Sequence, residues 1–172
     1  MTRLLGIDLG ERRVGLAIAD LLTGARPLTT IRRGRSLDDD ARTIGRVMHE
    51  QRATELVVGL PLEASGDEGP QAQLTRDWAD AIATRLGVPM TLRDERLSSR
   101  MAEERIGPMK RGRSGGPPSA VQRDAYRARI DREAAAILLQ HEVEARAATG
   151  ATRAPSRGAT VPRDASDTES SR

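Results

Sequence analysis

Leu4-Leu5-Gly6-Ile7-Asp8-Leu9-Gly10, followed after Glu11-Arg12 by Arg13-Val14-Gly15-Leu16-Ala17-Ile18-Ala19-Asp20, is the stretch that sets the architecture of this chain. Two apolar, alternating runs joined by a short polar connection read as a β-hairpin. A dinucleotide-binding fold would lead its first strand directly into a helix, and Gly6 and Gly10 also miss the G-x-G-x-x-G spacing. In an extended strand Leu5, Ile7 and Leu9 share one face, while Leu4, Gly6, Asp8 and Gly10 share the other. Asp8 therefore stands on a glycine-flanked face, where an ionised carboxylate is costly to bury unless a cation, donor or metal meets it. A positive partner is expected opposite Asp8. An arginine would make it a structural acid, and a metal ion would make it a functional one.

Working outward, residues 27–33 suit a third strand, completing a meander. Ser36 stands as a helix N-cap, with Asp38, Asp39 and Asp40 in the first turn where the helix dipole favours acids. That helix should reach about Arg52, with Leu37, Ala41, Ile44, Val47 and Met48 as its apolar stripe. Residues 55–59 form a short apolar run that suits a buried parallel strand. Pro70 opens a second helix with Leu74, Trp78, Ile82 and Leu86 on one stripe, stopped by Gly87. Residues 88–93 suit a fifth strand, Ser98 is placed to cap a third helix ending near Gly107-Pro108, and a last helix should run over about 121–147. The Gly/Pro/Arg-rich segment 110–119 reads as a mobile loop. This order predicts an α/β fold with a five-stranded mixed sheet, an antiparallel meander followed by parallel strands, flanked by helices.

The chain has 172 residues, enough for one domain of ordinary size plus a tail. A folded domain is expected over 1–146. Residues 147–172 hold almost only Ala, Thr, Ser, Arg, Pro and Asp with a single Val, and read as disordered. Cysteine is absent, no apolar run approaches a membrane span, and no basic-then-apolar leader is visible, so a cytoplasmic protein without membrane partners is expected. Net charge is +3, and 27 of the 28 basic residues are arginines that can fork onto carboxylate or phosphate. Eight basic residues against two acids over 105–132 make a local basic patch. It reads equally as a polyphosphate contact or as a solvated face.

Two more carboxylates stand where the local pattern prefers something else. Glu95 follows the fifth strand, at the carboxyl end of a parallel strand where ligand sites gather, with Asp94 as a rival. Asp131 shares a helical stripe with Ala135 and Leu138, an apolar face that should point at the sheet. A pair with Arg127 one turn earlier is the structural alternative, but an exposed pair is worth only some tenths of a kcal/mol. Three acids with no Cys and only two His, His49 and His141, suit Mg²⁺ or Mn²⁺ far better than Zn²⁺. Two such ions about 3.5–4 Å apart can activate water and stabilise the leaving oxygen of a phosphodiester. The metals would also relieve the repulsion among three acids near a nucleic-acid backbone. His49 and His141 read as structural or surface residues.

The residues together resemble the YqgF family of Holliday-junction-resolvase-like nucleases, within the ribonuclease H-like superfamily. The likeness covers roughly 4–142. It rests on Gly6-Ile7-Asp8-Leu9-Gly10 with Arg13-Val14-Gly15-Leu16-Ala17, on Val58-Gly59-Leu60-Pro61-Leu62 with Gly66 and Glu68-Gly69-Pro70, on Asp94-Glu95-Arg96-Leu97, and on Ile130-Asp131 with Ala134-Ala135. It implies a ribonuclease H-like fold with Asp8, Glu95 and Asp131 as metal-binding catalytic acids. It also implies a role in trimming the 5′ end of precursor 16S ribosomal RNA in ribosome biogenesis, or in resolving four-way DNA junctions, often as a dimer. Ser98-Ser99 stands where the family usually shows Thr-Thr, and 108–122 is longer and richer in Gly and Pro than is typical.

On that reading the glycines beside Asp8 keep the sheet face clear for metal and phosphate. Arg13, Arg96, Arg111, Arg113 and Arg127 are candidate substrate contacts. The 66–70 loop is an even choice between a phosphate seat at a helix N-terminus and an ordinary helix entry. Two other classes compete. An ATP-binding protein would share the Gly-Ile-Asp-Leu-Gly turn of the actin and sugar-kinase group, but those clamp nucleotide between two such domains and this chain has room for one. A non-catalytic binding module would use the basic 105–132 surface and would not need all three acids.

Overall fold

The computed structural model describes residues 2–109 and 116–150. Arg111, Arg113, most of the expected mobile loop and nearly all of the expected tail lie outside the described residues. The meander is β1 (Arg3–Leu9), β2 (Arg13–Asp20) and β3 (Gly24–Arg32), followed by α1 (Leu37–Gln51), β4 (Glu55–Leu60), α2 (Pro70–Leu86), β5 (Met90–Asp94), α3 (Ser98–Ile106) and α4 (Ala120–Ala148). Strand order across the sheet is β3-β2-β1-β4-β5, with β1 antiparallel to β2 and parallel to β4, and β4 parallel to β5. This is the five-stranded mixed sheet, an antiparallel meander followed by parallel strands, that the sequence predicts. β1 lies in the middle, so its odd and even residues face two different layers.

The odd face of β1 carries the larger core. Leu5 and Ile7 join Val14, Leu16, Leu56 and Val58 from the sheet with Ala41, Ile44 and Met48 of α1 and Trp78 and Ile82 of α2. The even face packs under α4, where Leu4, Ala17, Ala19 and Val57 meet Ala135, Leu138 and Leu139. α3 docks on α4 through Ala102, Ile130, Ala134 and Ile137. At the far end of α4, Glu142 is flanked by Arg93 and Arg146, and Arg146 also holds Glu55.

Ser36 caps α1 as expected, accepting from Asp39 N at 3.1 Å, and the stripe on α1 is the predicted one. α2 differs. Leu74 is 63% exposed, and the buried positions are Ala72, Thr75, Trp78, Ala79 and Ile82. Leu74 lies one position before Thr75, about 100° around the helix from that stripe. Small side chains at Ala72 and Ala79 let α2 lie close to the sheet in this rotation. Ser98 does not cap α3. Its hydroxyl turns back and donates to the Glu95 carbonyl at 2.8 Å, and Leu97 takes the cap position. α4 begins with a reciprocal Ser119/Gln122 capping box and extends to Ala148, slightly past the expected domain end.

Candidate active site

Asp8 sits near the end of β1 on the face toward α4, directly across from Gly15 of β2. A Cβ on Gly15 would fall inside the backbone of α4, 2.8 Å from Arg132 N and closer still to the Asp131 carbonyl. Gly15 is therefore what lets the helix bring Asp131 down beside Asp8. Gly6 does the same one step along β1, where a Cβ would lie 3.0 Å from Ala135 O and from Leu139 Cβ. For Gly6 the expectation of a face kept clear for metal and phosphate is corrected by these distances. α4 occupies the cleared space, and the opening is for its backbone.

On the other side of Asp8 the parallel register pairs Ile7 with Val58, which makes Gly59 the next residue of β4 beyond the paired stretch. The Glu95 carboxyl group lies over Gly59, where an added Cβ would meet its Cδ at 3.0 Å and its Oε2 nearer still. The Glu95 backbone is pinned on both sides: its N–H donates to Leu60 O at 3.2 Å, and its carbonyl accepts from Ser98 N at 3.0 Å. Asp94 turns the other way, accepting from Arg96 N at 3.0 Å and from Arg96 Nε at 2.9 Å, and this partner holds its carboxyl below the usual range. Of the two adjacent acids, Glu95 is the one brought to Asp8.

The electrostatics of the pair are those of two acids crowded together out of water. Burial pushes the Asp8 carboxyl up to about 7, with the negative charge of Asp131 adding to the rise and a hydrogen bond with Glu95 opposing it. Burial pushes Glu95 up to about 8, helped by the charge of Asp8 and their shared hydrogen bond. Near neutral pH the two carboxyls share a proton rather than both ionising. Glu95 Oε2 is buried with no hydrogen-bond partner in the protein. An orphaned acceptor of this kind costs free energy unless something positive arrives.

Asp131 is treated differently. Arg13 Nε donates to Asp131 Oδ2 at 2.8 Å, and Arg13 Nη1 donates to Asp124 Oδ1 at 2.5 Å. The arginine near the acids is thus held by Asp131 and not by Asp8, and the ion pair of Asp131 with Arg127 does not form. Among the described residues no three metal-ligating side chains already converge as a cage. The residues nonetheless fit a divalent cation: Asp8 and Glu95 converge with an unpartnered buried oxygen, and the groups that meet there are carboxylates. Asp131 would complete the set on release from Arg13.

Two clefts flank the acids. One of about 850 Å³ runs from Glu95 past Arg96, Ser98 and Ser99 to His141. His141 is exposed, as expected, but it opens on the same cleft as Glu95. Its position continues the Ala134 and Ile137 stripe that faces α3, a spacing visible in the sequence. The second cleft, of about 460 Å³, is lined by Gly10, Arg12, Arg13, Asp124, Arg127 and Asp131. Arg96 is exposed and bound to Asp94, and its Nη1 reaches Ala64 O at 3.4 Å. The Glu63 side chain fills the space over Gly69 at the start of α2, so that helix N-terminus already faces a carboxylate.

Comparison with known proteins adds what geometry alone leaves open. The family model described as "RuvX: Holliday junction resolvase" matches residues 2–145. The chain belongs to the RuvX family. A relative from Anaeromyxobacter dehalogenans named "Putative pre-16S rRNA nuclease" is 44% identical over 84% of this chain and 98% of its own length. Another of that name from a Nocardioides strain is 39% identical over 86% of this chain and 90% of its own length. A solved structure of T. thermophilus RuvC in complex with Holliday junction substrate is similar at TM-score 0.49 and 19% identity, covering 87% of this chain and 98% of that one. The RuvX match spans all four sequence motifs, including the segments that carry Asp8, Glu95 and Asp131. No described helix is long and apolar enough to cross a membrane.

Proposed function

We propose that this RuvX-family chain is a divalent-cation-dependent endonuclease that processes the 5′ end of precursor 16S rRNA in the cytoplasm, with Asp8, Glu95 and Asp131 as its acids. The observation that carries this reading is the Asp8–Glu95 pair: two buried carboxyls meeting over Gly59, one with an unpartnered oxygen. A fold gains nothing by such an arrangement unless a cation completes it. Mg²⁺ or Mn²⁺, as one ion or as a pair, would supply charge neutralisation of the phosphodiester and activation of water when bound. The chain's own contribution is positional: Gly15 seats Asp131, Gly59 makes room for Glu95, and the Glu95–Ser98 turn fixes the carboxyl over the sheet. Arg12, Arg13 and Arg127 offer guanidinium groups to phosphates on the Asp131 side. Arg96 offers another on the Glu95 side.

The experiment compares wild type and Asp8→Asn on a precursor 16S rRNA 5′ segment in Mg²⁺ and in Mn²⁺. The variant should fold and lose cleavage by about 100-fold or more, the order expected for losing several kcal/mol of charge stabilisation. Wild-type turnover by Asp8→Asn would sink the assignment. A second reading, resolution of a four-way DNA junction, is favoured by the description of the matching family. A four-way junction run beside the RNA distinguishes the two, since only the physiological substrate should be cut at defined positions.

A further inference from the structure

Arg13, offered above as a phosphate contact, is already engaged by two carboxylates. Its guanidinium bridges Asp131 and Asp124, and its side chain is only 19% exposed. Asp124 lies two turns before Asp131 on the same face of α4, so one planar fork spans two stacked carboxylates. Of the three acids, the one that faces a full positive charge is Asp131. Arg13 is also a wall of the 460 Å³ cleft, beside Arg12 and Arg127. Those two arginines are exposed and form no ion pair among the described residues. If Asp131 gave its charge to another cation, the cleft would hold three arginines against Glu11 and Asp124. That is a seat for a phosphate.

We infer that Arg13 is a stand-in cation: it occupies the Asp131 carboxylate until a divalent ion takes it, then pivots about Asp124 onto a substrate phosphate between Arg12 and Arg127. This inference rests on the cation-dependent reading above. Arg13 is a positioning residue in the ion-free protein and a phosphate contact in the loaded one. Its two partners compete, so ion and nucleic acid help each other to bind. The phosphate draws Arg13 off Asp131, and by reciprocity the ion frees Arg13 for phosphate.

The test titrates Mn²⁺ alone into the full chain by calorimetry, with no nucleic acid and no turnover. Arg13→Gln should bind Mn²⁺ about tenfold more tightly than wild type, the order set by losing one competing charge-assisted hydrogen bond. Asp124→Asn should shift the other way, by about threefold, because Arg13 then leans wholly on Asp131. A second readout is binding of a cleavage-resistant analogue of the RNA segment at saturating Mn²⁺ across a salt series. There Arg13→Gln should lower the slope of log affinity against log salt by about one, a change that lost packing would not produce. Arg13→Lys keeps the charge without the fork and should restore the slope but not the bridge to Asp124.

An Mn²⁺ affinity in Arg13→Gln equal to or weaker than wild type overturns the inference, as does an Asp124→Asn shift in the same direction as Arg13→Gln. Wild-type cleavage with either of those results removes the stand-in role and leaves the nuclease reading intact. No Mn²⁺ binding by wild type removes both.

Discussion

Asp40 and the Asp8–Glu95 pair are both acids placed out of water, and the fold treats them in opposite ways. Asp40 is 2% exposed and fully answered: it accepts from Gly34 N at 2.7 Å, Trp78 Nε1 at 2.9 Å and Arg33 Nε at 3.0 Å. Arg33 also lies over the Trp78 ring, 5.4 Å from its centroid, so cation, carboxylate and indole lock α1, α2 and the end of β3 together. Asp8 and Glu95 have each other and little else, and one Glu95 oxygen has no partner at all. The first arrangement is complete as it stands and stabilises the domain. The second leaves a buried carboxyl oxygen unanswered within the protein, and that difference is what the proposed function rests on.

The contrast can be broken from either side. The largest expected effect is the loss of cleavage in Asp8→Asn, which removes function while leaving the fold in place. Next is Asp40→Ala, which leaves the buried Trp78 N–H, the half-buried Arg33 guanidinium and the Gly34 N–H without their acceptor. It should cost about 2–4 kcal/mol in chemical denaturation, below the range for a fully buried charge pair because Arg33 reaches solvent, while turnover per folded molecule stays at the wild-type value. A large loss of turnover without loss of stability would reverse the roles assigned to the two acids.

Smaller effects come from the glycines. Gly15→Ala would push a methyl group into the backbone of α4, which cannot give way locally. It should destabilise by about 1–3 kcal/mol and reduce cleavage as Asp131 moves. Gly59→Ala meets the end of the Glu95 side chain, which can swing aside. It should change stability by less than about 1 kcal/mol and still depress turnover, as measured by paired melts and cleavage assays. Equal effects of the two substitutions on both measurements would contradict the geometry described for them.

Much of this was legible in the chain itself. Alternation in β1 and β2, the Ser36 cap and the Gly87 stop specify the meander, α1 and the end of α2, because each signal acts within a few residues. The three acids were legible as misfits against local pattern, Asp8 in a strand and Asp131 on an apolar stripe. What was not legible is held by long-range partners. Asp40 reads as one of three first-turn acids, and only the fold reveals Trp78, 38 positions away, above it. Arg13 reads as a phosphate contact, yet in the ion-free protein its fork is filled by acids 111 and 118 positions distant. Gly6 reads as clearance for a ligand, while helix backbone fills the space, and nothing local marks Gly15 and Gly59 as the positions that admit α4 and the Glu95 carboxyl. The rotation of α2 away from Leu74 escaped for a related reason: close approach through alanines leaves a weak apolar signal.

The central claim is that the Asp8–Glu95 pair is held in place at a cost to stability that a divalent cation removes. Both carboxyls titrate higher in the folded chain than unfolded, so between about pH 4 and pH 8 the native state holds more protons than the unfolded chain. The strain is absent below the unfolded values and complete once pH passes the folded ones. Equilibrium unfolding of cation-free protein from pH 5 to pH 9, with and without Mn²⁺, measures this in wild type and Asp8→Asn. The account predicts that wild type loses stability as pH rises and recovers it with Mn²⁺, whereas Asp8→Asn shows a shallower loss and little response to the ion. A wild-type stability that is flat or rising over that range and indifferent to Mn²⁺ would contradict it.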